Sequence, residues 1–178
     1  MVEEVLGMSL PEVIDRFRSN PRPAEGSTDN PFRLESTVWG PATASEVREA
    51  WGEHEIPDDA RTLWQECRGA RLFEDVDYGQ WGLKLLSPQA SRDRTGEYYL
   101  AEDLEADDIV IGAFIGDLDV VVLAPSEEGD RRVLVAGEID ARPKWHGVGS
   151  DLAHFLQRYF EASGDKYWKS ESSGRADE

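Results

Sequence analysis

Basic residues are scarce in this chain. Its 178 residues hold 19 Lys and Arg against 37 Asp and Glu, a formal net charge of −18. Phosphate contacts depend on Lys and Arg neutralising a nucleic-acid backbone, so direct nucleic-acid binding is not expected. Cysteine is nearly missing. Cys67 stands alone, which excludes an internal disulfide and fits a reducing compartment. Long apolar runs are missing too: no window approaches the ~18 apolar residues of a membrane span. The opening "MVEEVLGMSL" places acids where a secretory signal carries bases. A cytoplasmic protein with no membrane partner is the expectation.

The residue types of common catalytic and metal sites are also thinly spread. Of His54, His146 and His154, none lie four apart on a helix. "HEIPD" ends in Asp58 where the two-histidine zinc signature needs its second His. "DVDYG" from Asp75 and "DLEAD" from Asp103 look like the starts of calcium loops, but position twelve must be a bidentate Glu and is Leu86 or Phe114 here. There is no phosphate-cradling G-x-x-x-x-G-K loop. Cys67 falls on the apolar stripe of a helix, where a thiol serves as a small hydrophobe. The acid pairs Asp107–Asp108 and Glu127–Glu128 read as solvated turn charges. No catalytic residue, cofactor or metal is expected, and the chain does not read as an enzyme. A hydrolase built on an acid pair is the most distant functional reading.

What is present is enough apolar material for a core. Hydrophobic residues make up 39% of the chain and include six Trp, and a single domain of this length buries ~70% of its unfolded surface. Leu10, Val13, Ile14 and Phe17 recur at helical spacing after Ser9 and predict a helix over residues 9–19. Six Pro and Gly residues from Pro21 to Pro41 then break the pattern. Residues 1–36 therefore read as a helix and a Pro/Gly-rich arm appended to a main domain over 37–165. "TASEVREAW" opens with a capping box from Thr43 to Glu46. A second helix follows "IPDD", with Ala60, Leu63, Trp64 and Cys67 inward and Gly69 placed to end it. The last helix carries Leu152, Phe155, Leu156, Tyr159 and Phe160, capped by Ser150 or Asp151 and stopped at Gly164. Residues 166–178 read as a disordered polar tail.

Between the helices the period changes to two. "ARLF" and "WGLKLLSP" are strand candidates, and residues 88–107 read as a loop with at most one helical turn. "DIVIGAFI" and "LDVVVLAP" are the strongest strands, joined at Gly116-Asp117, where Gly supplies the positive φ of a hairpin turn. "RRVLVAGEI" adds another after the turn "SEEGD". Asp119 then begins one strand face beside the turn, in contact with water. The loop after "ARLF" interleaves Glu74, Asp75 and Asp77 with Tyr78 and Trp81. Large aromatics with a polar handle are favoured interface anchors, although Trp81 reads equally well as core. With Asp117 and Asp119, these are the candidate partner-binding residues. The surplus acid is either a solubilising coat or a field that attracts a basic partner, able to speed association ~10- to 1,000-fold at low salt.

Taken in order, "WGPATASEVREAWGEHEIPDDARTLWQECRGARLF", "GLKLLSP", "DIVIGAFIGDLDVVVLAP" and a terminal amphipathic helix resemble the SUKH superfamily of the Smi/Knr type. The match covers roughly residues 38–163 and rests on Ile56, Pro57, Asp58 or Asp59, Gly69, Gly116 and Asp117. Arg68 stands where the family often has Asn, and residues 1–36 have no counterpart. The resemblance implies a single α+β domain with a mixed, largely antiparallel sheet flanked by helices. It also implies a bacterial immunity function, in which the protein neutralises a toxin, often a nuclease, by binding it. A non-catalytic regulatory or scaffold module of the same fold, binding cellular proteins, is the alternative.

Overall fold

The structure is a computed structural model that describes residues 7–97, 102–125 and 131–169. Two capping boxes set the first helices. Ser9 starts α1 (Leu10–Ser19) with Glu12 returning its bond, and Thr43 starts α2 (Ala44–Trp51) with Glu46 doing the same. Each pair satisfies backbone N–H groups that a helix start leaves without partners. α3 (Asp58–Glu66) begins after Pro57 with two acids at the positive end of its dipole. Asp151, one of the two expected caps, starts α5 (Leu152–Glu161).

Seven strands form one sheet in chain order: β1 (Leu34–Val38), β2 (Ala70–Asp75), β3 (Leu83–Leu85), β4 (Ile109–Phe114), β5 (Val120–Pro125), β6 (Arg131–Ala136) and β7 (His146–Gly149). Every ladder is antiparallel. The α+β architecture expected from the sequence is therefore present, with the sheet wholly antiparallel among the described residues. Strands β4, β5 and β6 alternate between two cores. Ile111, Val121, Leu123, Val133 and Val135 face the larger core beneath α1, α3 and α5, while Val110, Val120, Val122 and Ala136 face a smaller one with Leu86 and Trp145.

Several boundaries move. Residues 7–36 are not an appendage: Leu10, Val13, Ile14 and Phe17 lie in the larger core, and β1 crosses the expected boundary to become the first strand of the sheet. Alternation over five residues beside so many Pro and Gly gave β1 no readable period. The tail is pinned beyond residue 165, because Trp168 is buried against Phe114 and Phe155. Its remaining residues 170–178 lie outside the described residues, as do the "SEEGD" turn and the pair Glu127–Glu128.

The expected loop at 88–107 holds a full helix, α4 (Pro88–Thr95). Its sequence hides it because hydroxyls attach it to the sheet in place of an apolar stripe. Ser91 Oγ donates to the Val110 carbonyl at 2.6 Å, and Thr95 Oγ1 accepts from the Val110 N–H at 3.0 Å. The Gly116 turn is also longer than a two-residue hairpin: Ala113 pairs with Val120, and Phe114 N–H donates to the Asp119 carbonyl at 2.9 Å. Gly116 still supplies the positive φ, 94°.

Candidate interaction surface

A meander places alternate connections at opposite ends of a sheet. The β2–β3, β4–β5 and β6–β7 loops therefore share one end, where Leu34 pairs with Asp75, Val120 with Ala136 and Val135 with His146. Glu74, Asp75, Asp77, Tyr78 and Trp81 lie on the first of these loops and its strand, and Asp117 and Asp119 on the second. The fold brings two separate stretches together. Ile115 N–H donates to the Gly82 carbonyl at 2.8 Å, and Gly116 lies so close to the Gln80 carbonyl that a Cβ there would overlap it.

The acids of the first loop do different work. Asp75 is 2% exposed and points into its own turn. Its Oδ1 accepts from the N–H groups of Asp77 and Tyr78, and its Oδ2 from that of Gln80, each at 3.1 Å. A carboxylate spent on three backbone donors is a turn organiser, so Asp75 leaves the list of partner-facing residues. Glu74 pairs with Arg71 at 2.6 Å and Asp77 with Arg33 at 2.8 Å. Trp81 is partly buried, packs on the larger core and donates its indole N–H to the Gly164 carbonyl at 3.0 Å. It is a wall residue, and Tyr78, 74% exposed, is the aromatic that faces outward.

Asp117 Oδ1 accepts the Asp119 N–H at 2.9 Å and shapes the second loop, while its carboxylate pairs with Lys166. Burial, then the neighbouring charge of Asp117, pushes the Asp119 carboxyl above its ordinary value, with Lys166 and Lys169 opposing and Asp140 adding to the rise. Asp140 belongs to the β6–β7 loop, so the second and third loops share one electrostatic neighbourhood. That third loop is held by Trp145, which donates to the Asp140 carbonyl at 2.9 Å, and by Arg142 paired with the buried Asp108. The Arg142 pair contradicts the reading of Asp108 as a solvated turn charge: its side chain is fully covered.

The sequence reasoning missed the apolar part of the surface. Among the described residues the exposed large hydrophobics are Trp39, Val76, Tyr78, Leu118 and Ile139. All but Trp39 sit on these three loops. Ile139 is 92% exposed and Leu118 50%, and they and Val76 each stand between acids: Asp75-Val76-Asp77, Asp117-Leu118-Asp119 and Glu138-Ile139-Asp140. That repeated acid–aliphatic–acid pattern was the available signal. A fourth copy, Asp103-Leu104-Glu105, turns its Leu104 onto the smaller core, so the pattern alone does not decide exposure.

Elsewhere the described residues offer little chemistry. Among the described residues no three His, Cys, Asp or Glu side chains are gathered to hold a metal ion, and no helix is long and apolar enough to cross a membrane. Cys67 is buried, and burial pushes its thiol up to about 12, so it is not a thiolate at neutral pH. An open cavity of about 360 Å³ lies at the opposite end of the sheet, between Glu55–Asp58, Arg61, Asp107 and the end of β5. Compared with protein-family models and with curated proteins, the chain matches none.

Proposed function

We propose that this chain is an immunity-type binding protein that docks its three hairpin tips onto a basic toxin domain and neutralises it by covering its working surface. The single observation that carries the reading is the placement of Val76, Tyr78, Leu118 and Ile139, exposed at one end of the sheet, with the three aliphatics each flanked by carboxylates. Folding alone gives no reason to hold a 92% exposed Ile. Isolated surface apolars are ordinary, but a group on neighbouring loops marks an interaction site. The formal charge of −18 supports a basic partner, because complementary fields speed encounter and discourage acidic competitors. A nuclease must be basic where it grips phosphate, and covering that surface requires no catalysis by the inhibitor. The resemblance of residues 38–163 to the SUKH superfamily supports the same reading, as does the helix-flanked antiparallel sheet.

The test is co-expression with a toxin encoded beside this gene, scored by growth, together with a binding measurement on the purified toxin domain. The wild-type chain is expected to protect and to bind, with association slowing as salt rises. Tyr78→Ala combined with Leu118→Ser and Ile139→Ser should weaken the complex at least about 30-fold, since buried interface anchors contribute roughly 2 kcal/mol or more each. The variant's melting temperature should stay near wild type. Undiminished protection by this variant would overturn docking through the hairpin tips. No complex with the toxin domain would overturn the immunity reading itself.

A further inference from the structure

A recess at the same end of the molecule holds a cation that belongs to the chain itself. Lys166 follows α5 and turns its ammonium inward, leaving 8% of its side chain exposed. Its Nζ lies 4.7 Å from the centre of the Phe114 ring and 5.4 Å from that of Trp81. The same Nζ pairs with Asp117, and the charge of Asp119 acts across the recess. Two ring faces and one carboxylate in contact with one ammonium, with the charge of Asp119 nearby, are the chemistry of a lysine receptor, since a cation over a ring face gains from its quadrupole and more so when water is excluded.

The walls do not depend on Lys166 for their position. Trp81 is fixed by its bond to Gly164, Phe114 by strand pairing and the Asp117 loop by the contact of Gly116 with Gln80. The backbone around Lys166 is anchored separately. Trp168 packs among Phe114, Phe155 and Tyr167, and Thr28 Oγ1 donates to Asp165 at 2.9 Å. The lysine side chain can therefore rotate out without releasing the segment that carries it.

We propose that this recess is a receptor for a primary ammonium, held in the free protein by Lys166 and taken over by a lysine side chain of the docking partner. The takeover rests on the docking surface proposed above, while the receptor does not. One ammonium returns to water as another leaves it, so the exchange costs little in desolvation, and the contacts of the hairpin tips bias it toward the partner.

The experiment uses the whole chain with Lys166→Ala, which empties the recess. Nα-acetyl-lysine methylamide is titrated while the Trp81 indole N–H is followed by NMR, with the norleucine analogue as the uncharged control. The lysine compound is expected to shift that signal saturably and to bind at least tenfold more tightly than the control. Wild type should bind it at least tenfold more weakly, because tethered Lys166 competes at an effective concentration of order millimolar or higher. Asp117→Asn added to Lys166→Ala should weaken binding several-fold. If Lys166→Ala melts too low to titrate, Lys166→Gln removes the charge at similar length, and the same ranking is expected. Equal binding of the two compounds, no binding of either, or equal binding by wild type and variant would each overturn the receptor, leaving Lys166 a structural staple only. No partner is involved, so such a result leaves hairpin-tip docking standing. A working receptor in a chain whose tip variants still protect would instead remove docking alone.

Discussion

Asp75 lies on the loop that carries Val76, Asp77 and Tyr78, yet the structure assigns it a different role from its neighbours, and replacing it separates the two. The Asp75 carboxylate accepts three backbone N–H groups at 3.1 Å from a position 2% exposed. A hydrogen bond to a charged group contributes roughly 1.5–3 kcal/mol net when buried. The donors freed here belong to a surface turn and can be taken up by water, so about 1 kcal/mol each is the appropriate scale. Asp75→Ala should then cost about 3 kcal/mol. In a protein of this size each kcal/mol moves the melting temperature by roughly 2–4 °C, which gives a fall of about 6–12 °C. Asp75→Asn keeps the acceptor for Asp77 and Tyr78 but can present an amide donor to the Gln80 N–H, at a cost of about 1–2 kcal/mol. Calorimetric melts read both values. Tyr78→Ala on the same loop is the control and should melt within 2 °C of wild type. An Asp75→Ala protein that melts within 2 °C of wild type would refute the assignment of this carboxylate as the turn's internal support.

Two other perturbations test the way the loops are joined. Gly116→Ala would drive a Cβ into the Gln80 carbonyl at a backbone φ of 94° that L-residues avoid. It should cost about 2–4 kcal/mol, readable as a lower urea midpoint; an unchanged midpoint would show that the loops are not in contact. Asp119→Asn probes the pH dependence. The folded protein holds the Asp119 proton more tightly than the unfolded chain, whose ordinary value is 3.8. Stability from that proton is complete below 3.8 and is lost as pH rises through the folded value. Asp119→Asn should therefore exceed wild type in stability at pH 7, with the difference vanishing toward pH 3, as read from urea unfolding at both. A variant less stable at pH 7 would contradict the direction of the shift.

Legibility from the sequence followed the range of the interactions involved. The helical period after Ser9, the capping box at Thr43, the inward stripe of α3, the amphipathic α5 and the turn glycine at 116 are visible because each depends on residues a few positions apart. The same locality explains the misses. α4 is attached by the hydroxyls of Ser91 and Thr95 to a strand that comes later in the chain, and β1 is a strand because β2 lies beside it. The candidate site was half visible. Its acids and Tyr78 stand out in composition, whereas the inward aim of Asp75 and the covered pair of Asp108 with Arg142 depend on neighbours that composition does not name.

By itself, the sequence determined that an acidic chain with 39% hydrophobic residues would build helices against a central sheet, because hydrophobic periods of 3.6 and 2 are written residue by residue. Only the tertiary structure decided that three separated acid–aliphatic–acid triplets share one end of that sheet and that Lys166 closes a recess beside them. Alternation along a strand tells which side chains share a face. It carries no information about which turns become neighbours, since that is settled by strand order and register, and these arise from pairing across long stretches of chain.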